Sequence, residues 1–383
     1  MPADRRKRIL VVDDSAVVRS LLRSVVSTDQ KLEVAGTAAD GATALASLES
    51  MRPDLILLDV EMPVMDGLVT LKQLRARGHK MPVIMCSSLT QRGAKVTIEA
   101  LAGGASDYVA KPRGQSSREA AIRALAHDLI PKIHALTSHL SASAEAVARG
   151  AARPSALLPL GPPPRPPVTQ FAAPVAPSVV VVGVSTGGPA ALDVFLPALP
   201  ATFPLPVLVV QHMPELFTGL LAERLNGRAK LRICEAAEGA MVSPGTVHIA
   251  RGNWHLEVVP AAGPSARPTL HLSQGPLENY CRPAADVLFR SAARVYGGAV
   301  LAVVLTGMGS DGLNGSRTIR EQGGSVVAQD RESSVVWGMP GAVSQAGLAQ
   351  KILPLDAIAP EILRMVSRPP AAGEPREAHR LVV

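Results

Sequence analysis

Val179-Val180-Val181-Val182-Gly183-Val184-Ser185-Thr186-Gly187-Gly188-Pro189 reads as a buried strand that turns sharply into a helix. An unbroken β-branched run suits a parallel strand covered on both faces. Glycines at 183, 187 and 188 permit a tight turn and close backbone approach. Pro189 fits the first helical turn, where its missing N–H costs nothing. Ser185 then stands at the tip of the turn, at the positive end of a helix. Gly183-Val184-Ser185-Thr186-Gly187 matches G-x-S-x-G, the turn that presents a nucleophilic serine. The same residues also suit a helix-capping serine or a phosphate-binding loop.

The sequence downstream supplies what a serine nucleophile needs. A hydroxyl is a weak nucleophile without a base, and the base needs an orienting carboxylate. A strand expected over Leu205–Val210 ends in Gln211-His212-Met213-Pro214, where a general base would stand; a structural histidine is the alternative. A strand over Ala299–Leu305 ends in Thr306-Gly307-Met308-Gly309-Ser310-Asp311-Gly312. Asp311 supplies a carboxylate there, or an N-cap for the next helix. Ser185, His212 and Asp311 thus fall at the ends of three strands. N–H groups at the helix starts and in the loop around Met308 are candidates for an oxyanion hole. The order Ser–His–Asp differs from the Ser–Asp–His order of α/β-hydrolases, so the turn motif does not imply that fold. Pro283 to Asp286 opens an amphipathic helix, and Arg282 with Pro283 is read as touching the cleft. His248 and His255 are read as structural, flanking a hairpin at Gly252-Asn253.

The first half alternates strands with helices, which predicts a doubly wound parallel sheet. Strands over 8–14, 31–38, 55–59, 81–85 and 107–109 are expected. Ligands of such sheets sit outside the carboxyl ends of the strands. There the sequence puts Asp13 and Asp14, then Asp59, Ser87 and Lys111. Clustered carboxylates are costly unless a cation bridges them. Oxygen donors with an open face suit Mg²⁺, and a carboxylate beside it can form an aspartyl-phosphate. Lys111 would neutralise phosphate charge and Ser87 would donate a hydrogen bond to it.

Between the halves, prolines 154, 159, 162, 163, 164, 166, 167, 174 and 177 predict a stiff linker. The chain has 383 residues, 47% of them hydrophobic but only 3% aromatic, so its cores must be aliphatic. Its three cysteines show no metal-ligand spacing and point to a reducing compartment. No apolar run approaches a membrane span, and no signal peptide is evident. The expectation is a cytoplasmic protein without membrane insertion. The net charge of +7 raises a DNA-binding regulator as an alternative, but that class needs a helix-turn-helix after the linker. The sequence offers strand–turn–helix units instead, so no nucleic-acid partner is expected.

Residues 6–128 resemble the receiver domains of two-component response regulators. The resemblance rests on Val11-Val12-Asp13-Asp14-Ser15, Leu57-Leu58-Asp59-Val60-Glu61-Met62-Pro63 with Asp66-Gly67, Ser87 and Lys111-Pro112. It implies a flavodoxin-like sheet with Asp59 as phosphoacceptor and Asp13, Asp14, Asp59 and the Glu61 carbonyl around Mg²⁺. Ser87 and Lys111 would form the phosphate switch, and Tyr108 stands at the position of the switch aromatic. Residues from about 178 to 367 resemble the catalytic domain of chemotaxis protein-glutamate methylesterases. The matching pieces are Gly183 to Pro189, Gln211 to Pro214, Leu305 to Gly312 and Val336-Trp337-Gly338-Met339-Pro340. Ser310 stands where Asn is common in that family. The resemblance implies a Rossmann-like three-layer domain with Ser185 as nucleophile, His212 as base, Asp311 as its partner and the Met308 N–H in the oxyanion hole. No cofactor is expected in this half.

The expected layout is a receiver over 6–128, a helical extension and linker over 129–177, a catalytic domain over 178–370 and a tail over 371–383. The implied activity is hydrolysis of glutamate γ-methyl esters, with glutamine deamidation, on the cytoplasmic helices of membrane chemoreceptors. A histidine kinase would be the phosphodonor, and phosphorylation would shift a receiver that occludes the cleft.

Overall fold

Aliphatic runs buried on both faces build two parallel sheets. The computed structural model describes residues 5–88, 90–112, 117–149, 175–261, 263 and 267–367, with backbone alone for 139–149. The proline-rich stretch up to residue 174 and the tail from 368 lie outside the described residues.

The first unit runs β1 (Lys7–Val12), α1 (Ala16–Val26), β2 (Leu32–Ala38), α2 (Gly41–Met51), β3 (Leu55–Asp59), α3 (Gly67–Ala76), β4 (Val83–Ser87), α4 (Gln91–Ala102), β5 (Asp107–Ala110) and α5 (Arg118–Arg149). Its five strands lie in the order β2-β1-β3-β4-β5, all parallel. Local chemistry sets the helix starts: Ser15, Asp40 and Asp66 each accept a backbone N–H at the N-cap of α1, α2 and α3. Helix α5 is longer than the helical pattern over 120–139 predicts, and continues through Pro131.

The second unit comprises β6 (Val179–Val184), α6 (Gly188–Phe195), β7 (Val207–Gln211), α7 (Glu215–Asn226), β8 (Arg232–Glu235), β9 (Thr246–Ile249), β10 (His255–Val259), β11 (Thr269–Ser273), α8 (Ala285–Tyr296), β12 (Val300–Val304), α9 (Leu313–Glu321), β13 (Ser325–Gln329), α10 (Met339–Gln345), β14 (Lys351–Leu353) and α11 (Leu355–Val366). Seven strands form a parallel sheet in the order β14-β13-β12-β6-β7-β9-β8, and β10 with β11 forms a separate antiparallel ribbon. The central strand β6 is buried at every residue. Each valine there contributes on the order of 1.5–3 kcal/mol by leaving water. The strands carrying the candidate residues, β6, β7 and β12, are neighbours, so their carboxyl ends open onto one edge.

The hairpin expected between His248 and His255 is not formed. His248 lies on β9, inside the main sheet, and His255 on β10, in the ribbon. Strand β9 pairs with β7 on one edge and β8 on the other, which leaves no free edge for β10 across the Gly252-Asn253 turn. Both histidines have internal partners: His248 Nδ1 meets Cys234 Sγ at 3.5 Å, and His255 Nε2 meets the Pro276 carbonyl at 2.9 Å.

Candidate active site

Ser185 leaves β6 in the turn before α6. Its N–H donates to the Thr306 carbonyl at 3.0 Å, and its carbonyl accepts from Gly188 N at 2.7 Å and Gln211 Nε2 at 3.1 Å. These bonds tie the turn to the loop after β12 and to the last residue of β7. The helix N-cap is Gly187, at φ +78, with no side-chain cap, so Ser185 is not spent on capping. The loop after β12 approaches it closely at Gly307. A Cβ there would meet Ser185 Cβ at 2.8 Å and would also collide with the Met339 sulfur. The Met308 N–H has no hydrogen-bond acceptor among the described residues, which leaves a donor beside the serine.

His212 follows β7 and pairs through Nε2 with Asp311 Oδ2 at 2.8 Å. Its other ring nitrogen faces Cys281 Sγ at 3.6 Å. Among the described residues no hydrogen bond joins His212 to the Ser185 hydroxyl, so any link to serine must come through Nδ1. Burial disfavours the imidazolium, but the bonds to Asp311 and Cys281 outweigh it and raise the pKa to about 10.

Asp311 is 2% exposed and does not cap its own helix, whose N-cap is Gly312. Its carboxylate reaches across to the start of α8. There Oδ2 accepts from Ala285 N at 2.6 Å and Oδ1 from Asp286 N at 3.0 Å. Burial pushes its pKa up, yet His212 and the two N–H groups hold it below the usual value. A helix N-terminus favours an anion at this place.

In the first unit, single carboxylate oxygens of Asp13, Asp14 and Asp59 lie within 4.8 Å of one another. Lys111 Nζ stands 2.7 Å from both Asp13 and Asp59. Burial raises the Asp59 pKa to about 6 in spite of Lys111. Three carboxylates against one ammonium, with oxygen donors alone, fit a hard divalent cation. A cavity of about 350 Å³ adjoins Asp14, Asp59, Glu61, Ser88 and Lys111. The Glu61 side chain turns outward to Arg92, at 3.4 Å. Ser87 is fully buried and donates to the Ser88 carbonyl at 3.2 Å.

Profiles of the CheB methylesterase family and of the response regulator receiver domain match residues 180–362 and 9–123. A Nocardioides protein named protein-glutamate methylesterase/protein-glutamine glutaminase is 49% identical over 94% of this chain and 96% of its own. One of the same name from Trichodesmium erythraeum is 46% identical over 94% and 99%. This chain belongs to the CheB methylesterase family. A crystal structure of the Thermotoga maritima CheB methylesterase catalytic domain is 41% identical, with a TM-score of 0.48, covering 50% of this chain and all of that one.

In this methylesterase the receiver lies against the catalytic unit at the candidate site. Tyr108 on β5 stacks on Phe217 of α7, with centroids 4.7 Å apart, and α4 packs on α6 and α7. Thr186, next to Ser185, donates from Oγ1 to Asp107 Oδ2 of β5 at 2.6 Å. Lys132 of α5 donates to the Tyr108 carbonyl at 2.7 Å. Between the units opens a cavity of about 1110 Å³, lined by Ser185, His212 and Met308 on one side and Asp107, Tyr108 and Lys132 on the other. Arg282 also lines it, but its guanidinium is engaged by Asn253 and the carbonyls of Gln274 and Gly275.

Sequence reasoning passed over Asp107, Thr186, Asn279 and Asp286 as participants. Thr186 and Asp107 sat inside motifs read for their neighbours. The local sequence signal for a turn beside Cys281 is Asn279, a residue that tolerates left-handed backbone; its φ is +51.

Proposed function

We propose that this protein is a phosphorylation-activated cytoplasmic hydrolase that removes γ-methyl esters from glutamates of chemoreceptor helices and deamidates glutamines there. The observation that carries the reading is the His212–Asp311 pair standing beside Ser185 and the Met308 N–H, unpaired among the described residues, beneath the receiver edge. Ser185 Oγ attacks the γ-carbonyl and passes its proton to His212 Nδ1, the nitrogen not held by Asp311. The Met308 N–H stabilises the oxyanion. Methanol, or ammonia from an amide, leaves with that proton. Water then attacks the acyl-enzyme, His212 takes its proton, and Ser185 is restored with a free glutamate.

Asp59 is the phosphoacceptor for a histidine kinase. Asp13, Asp14, Asp59 and the Glu61 carbonyl would hold Mg²⁺, which when bound offsets negative charge during phosphoryl transfer. Lys111 and Ser87 respond to the phosphate. Because β5 carries both Asp107 and, just beyond its end, Lys111, a shift of Lys111 toward phosphate disturbs the strand that covers Ser185.

The test is methanol release from methylated receptor membranes, with and without a small phosphodonor. Ser185→Ala is expected to abolish release while the receiver still phosphorylates. Asp59→Asn is expected to keep the basal rate and lose stimulation. Release by Ser185→Ala, or undiminished stimulation of Asp59→Asn, would overturn the assignment.

A further inference from the structure

The loop before α8 contains a tight turn, Glu278 to Cys281, closed by Glu278 N to Cys281 O at 3.1 Å and Cys281 N to Glu278 O at 2.9 Å. Its central residues, Asn279 and Tyr280, have φ of +51 and +62. Asparagine tolerates that backbone well, which alone would account for its presence. Its side chain does more. Asn279 Nδ2 donates to Asp311 Oδ1 at 2.8 Å and to Asp286 Oδ2 at 3.0 Å.

Those two carboxylates belong to an exchange between helices. Asp311, just ahead of α9, accepts the first N–H groups of α8. Asp286, in the first turn of α8, accepts Gly315 N of α9 at 2.6 Å. Asp286 is completely buried and Asp311 nearly so. Two such groups side by side repel unless a donor lies between them. An amide NH₂ has two hydrogens and supplies both carboxylates at once.

We propose that Asn279 is a positioning residue of the hydrolysis: its amide, shared between Asp286 and Asp311, holds the Asp311 carboxylate so that Oδ2 faces the His212 ring. This rests on the reading of Ser185, His212 and Asp311 as the reacting set. Asp311 Oδ1 is then saturated by Asn279 Nδ2, Asp286 N and Gly312 N. Oδ2 keeps only Ala285 N and His212 Nε2. Without the amide, repulsion from Asp286 turns the carboxylate away from the imidazole, and the base loses its orientation without losing the pocket that binds substrate.

The experiment compares two variants in the full-length protein, by methanol release over a range of substrate and pH. Asn279→Gly accepts the left-handed backbone and deletes the amide. It is expected to lower kcat about 10- to 100-fold with KM within about threefold. Asn279→Asp keeps size and backbone preference but adds a third carboxylate. It is expected to lower kcat at least as far and to move the rising limb of the pH–rate profile upward by about 0.5–1 unit. A merely structural turn residue would change KM and melting temperature together and leave the pH profile in place. Asn279→Gly with unchanged kcat, or Asn279→Asp with unchanged kcat and profile, overturns the inference. Activity surviving in Ser185→Ala would instead overturn the underlying assignment.

Discussion

Replacing Asp107 tests whether the receiver restrains the catalytic unit. Thr186 Oγ1 and Asp107 Oδ2 lie 2.6 Å apart, with the two residues 5% and 7% exposed. A buried hydrogen bond to a charged acceptor is worth about 1.5–3 kcal/mol. Asp107→Ala removes the acceptor and leaves the Thr186 hydroxyl without a partner in the docked arrangement. Both residues line the cavity between the units, so water entering there offsets part of the loss and sets the lower end of the effect. The docked-to-separated ratio therefore falls roughly 10- to 100-fold, at about 1.4 kcal/mol per factor of ten. Methanol release without phosphodonor is expected to rise by that factor, up to the ceiling of the stimulated wild-type rate. Asp107→Asn keeps an oxygen acceptor but loses the charge, so its rise is expected to be smaller. Asp128→Ala is the control. Asp128 is 47% exposed and pairs at 3.0 Å with Lys132, itself 15% exposed; Lys132 keeps Asp107 and the Tyr108 carbonyl when Asp128 is removed, so a much smaller rise than in Asp107→Ala is expected. A basal rate unchanged in Asp107→Ala, with phosphorylation of Asp59 intact, would refute the argument that this contact restrains the enzyme.

Two further predictions concern the catalytic unit itself. The His212 pKa is raised from 6.5 to about 10, so its stabilisation is fully present below pH 6.5 and is lost as pH climbs through about 10. The excess stability of wild type over His212→Asn in urea unfolding is expected to shrink across that window. Hydrolysis needs the neutral ring, so release should rise over the same range, and Cys281→Ala should shift that rise to lower pH. A rate flat from pH 7 to 9.5 would contradict this. Gly307→Ala forces a methyl against Ser185 Cβ and the Met339 sulfur. It is expected to destabilise by about 1–3 kcal/mol and to lower kcat; a melting temperature equal to wild type would show that the loop yields freely.

How much of this was legible in the chain depends on the range of the interaction. The aliphatic runs of β1, β3, β6 and β12 announce buried strands because burial on both faces leaves no room for polar side chains. The residues just beyond their ends are therefore conspicuous. Asp13, Asp59, Ser185, His212 and Asp311 all stand at such places, and the caps at Ser15 and Asp40 are equally local. The short strands β8 and β14 gave no comparable signal. They have only four and three residues and are partly exposed, so their identity comes from the sheet they join. The hairpin expectation at Gly252-Asn253 failed because a turn signal cannot tell which sheet claims the strands beside it.

The sequence by itself determined the two parallel sheets and which side chains stand at their carboxyl edges, because periodicity and strand ends are properties of a few consecutive residues. Tertiary structure alone decided how those side chains are used. Asp311 caps a neighbouring helix rather than its own, Asn279 is shared between two carboxylates, and Asp107 takes the hydroxyl of a threonine 79 residues away. Such contacts join segments far apart in the chain. Their geometry is fixed only when both cores have packed, since a buried donor or acceptor must be satisfied by whatever group the packing brings to it.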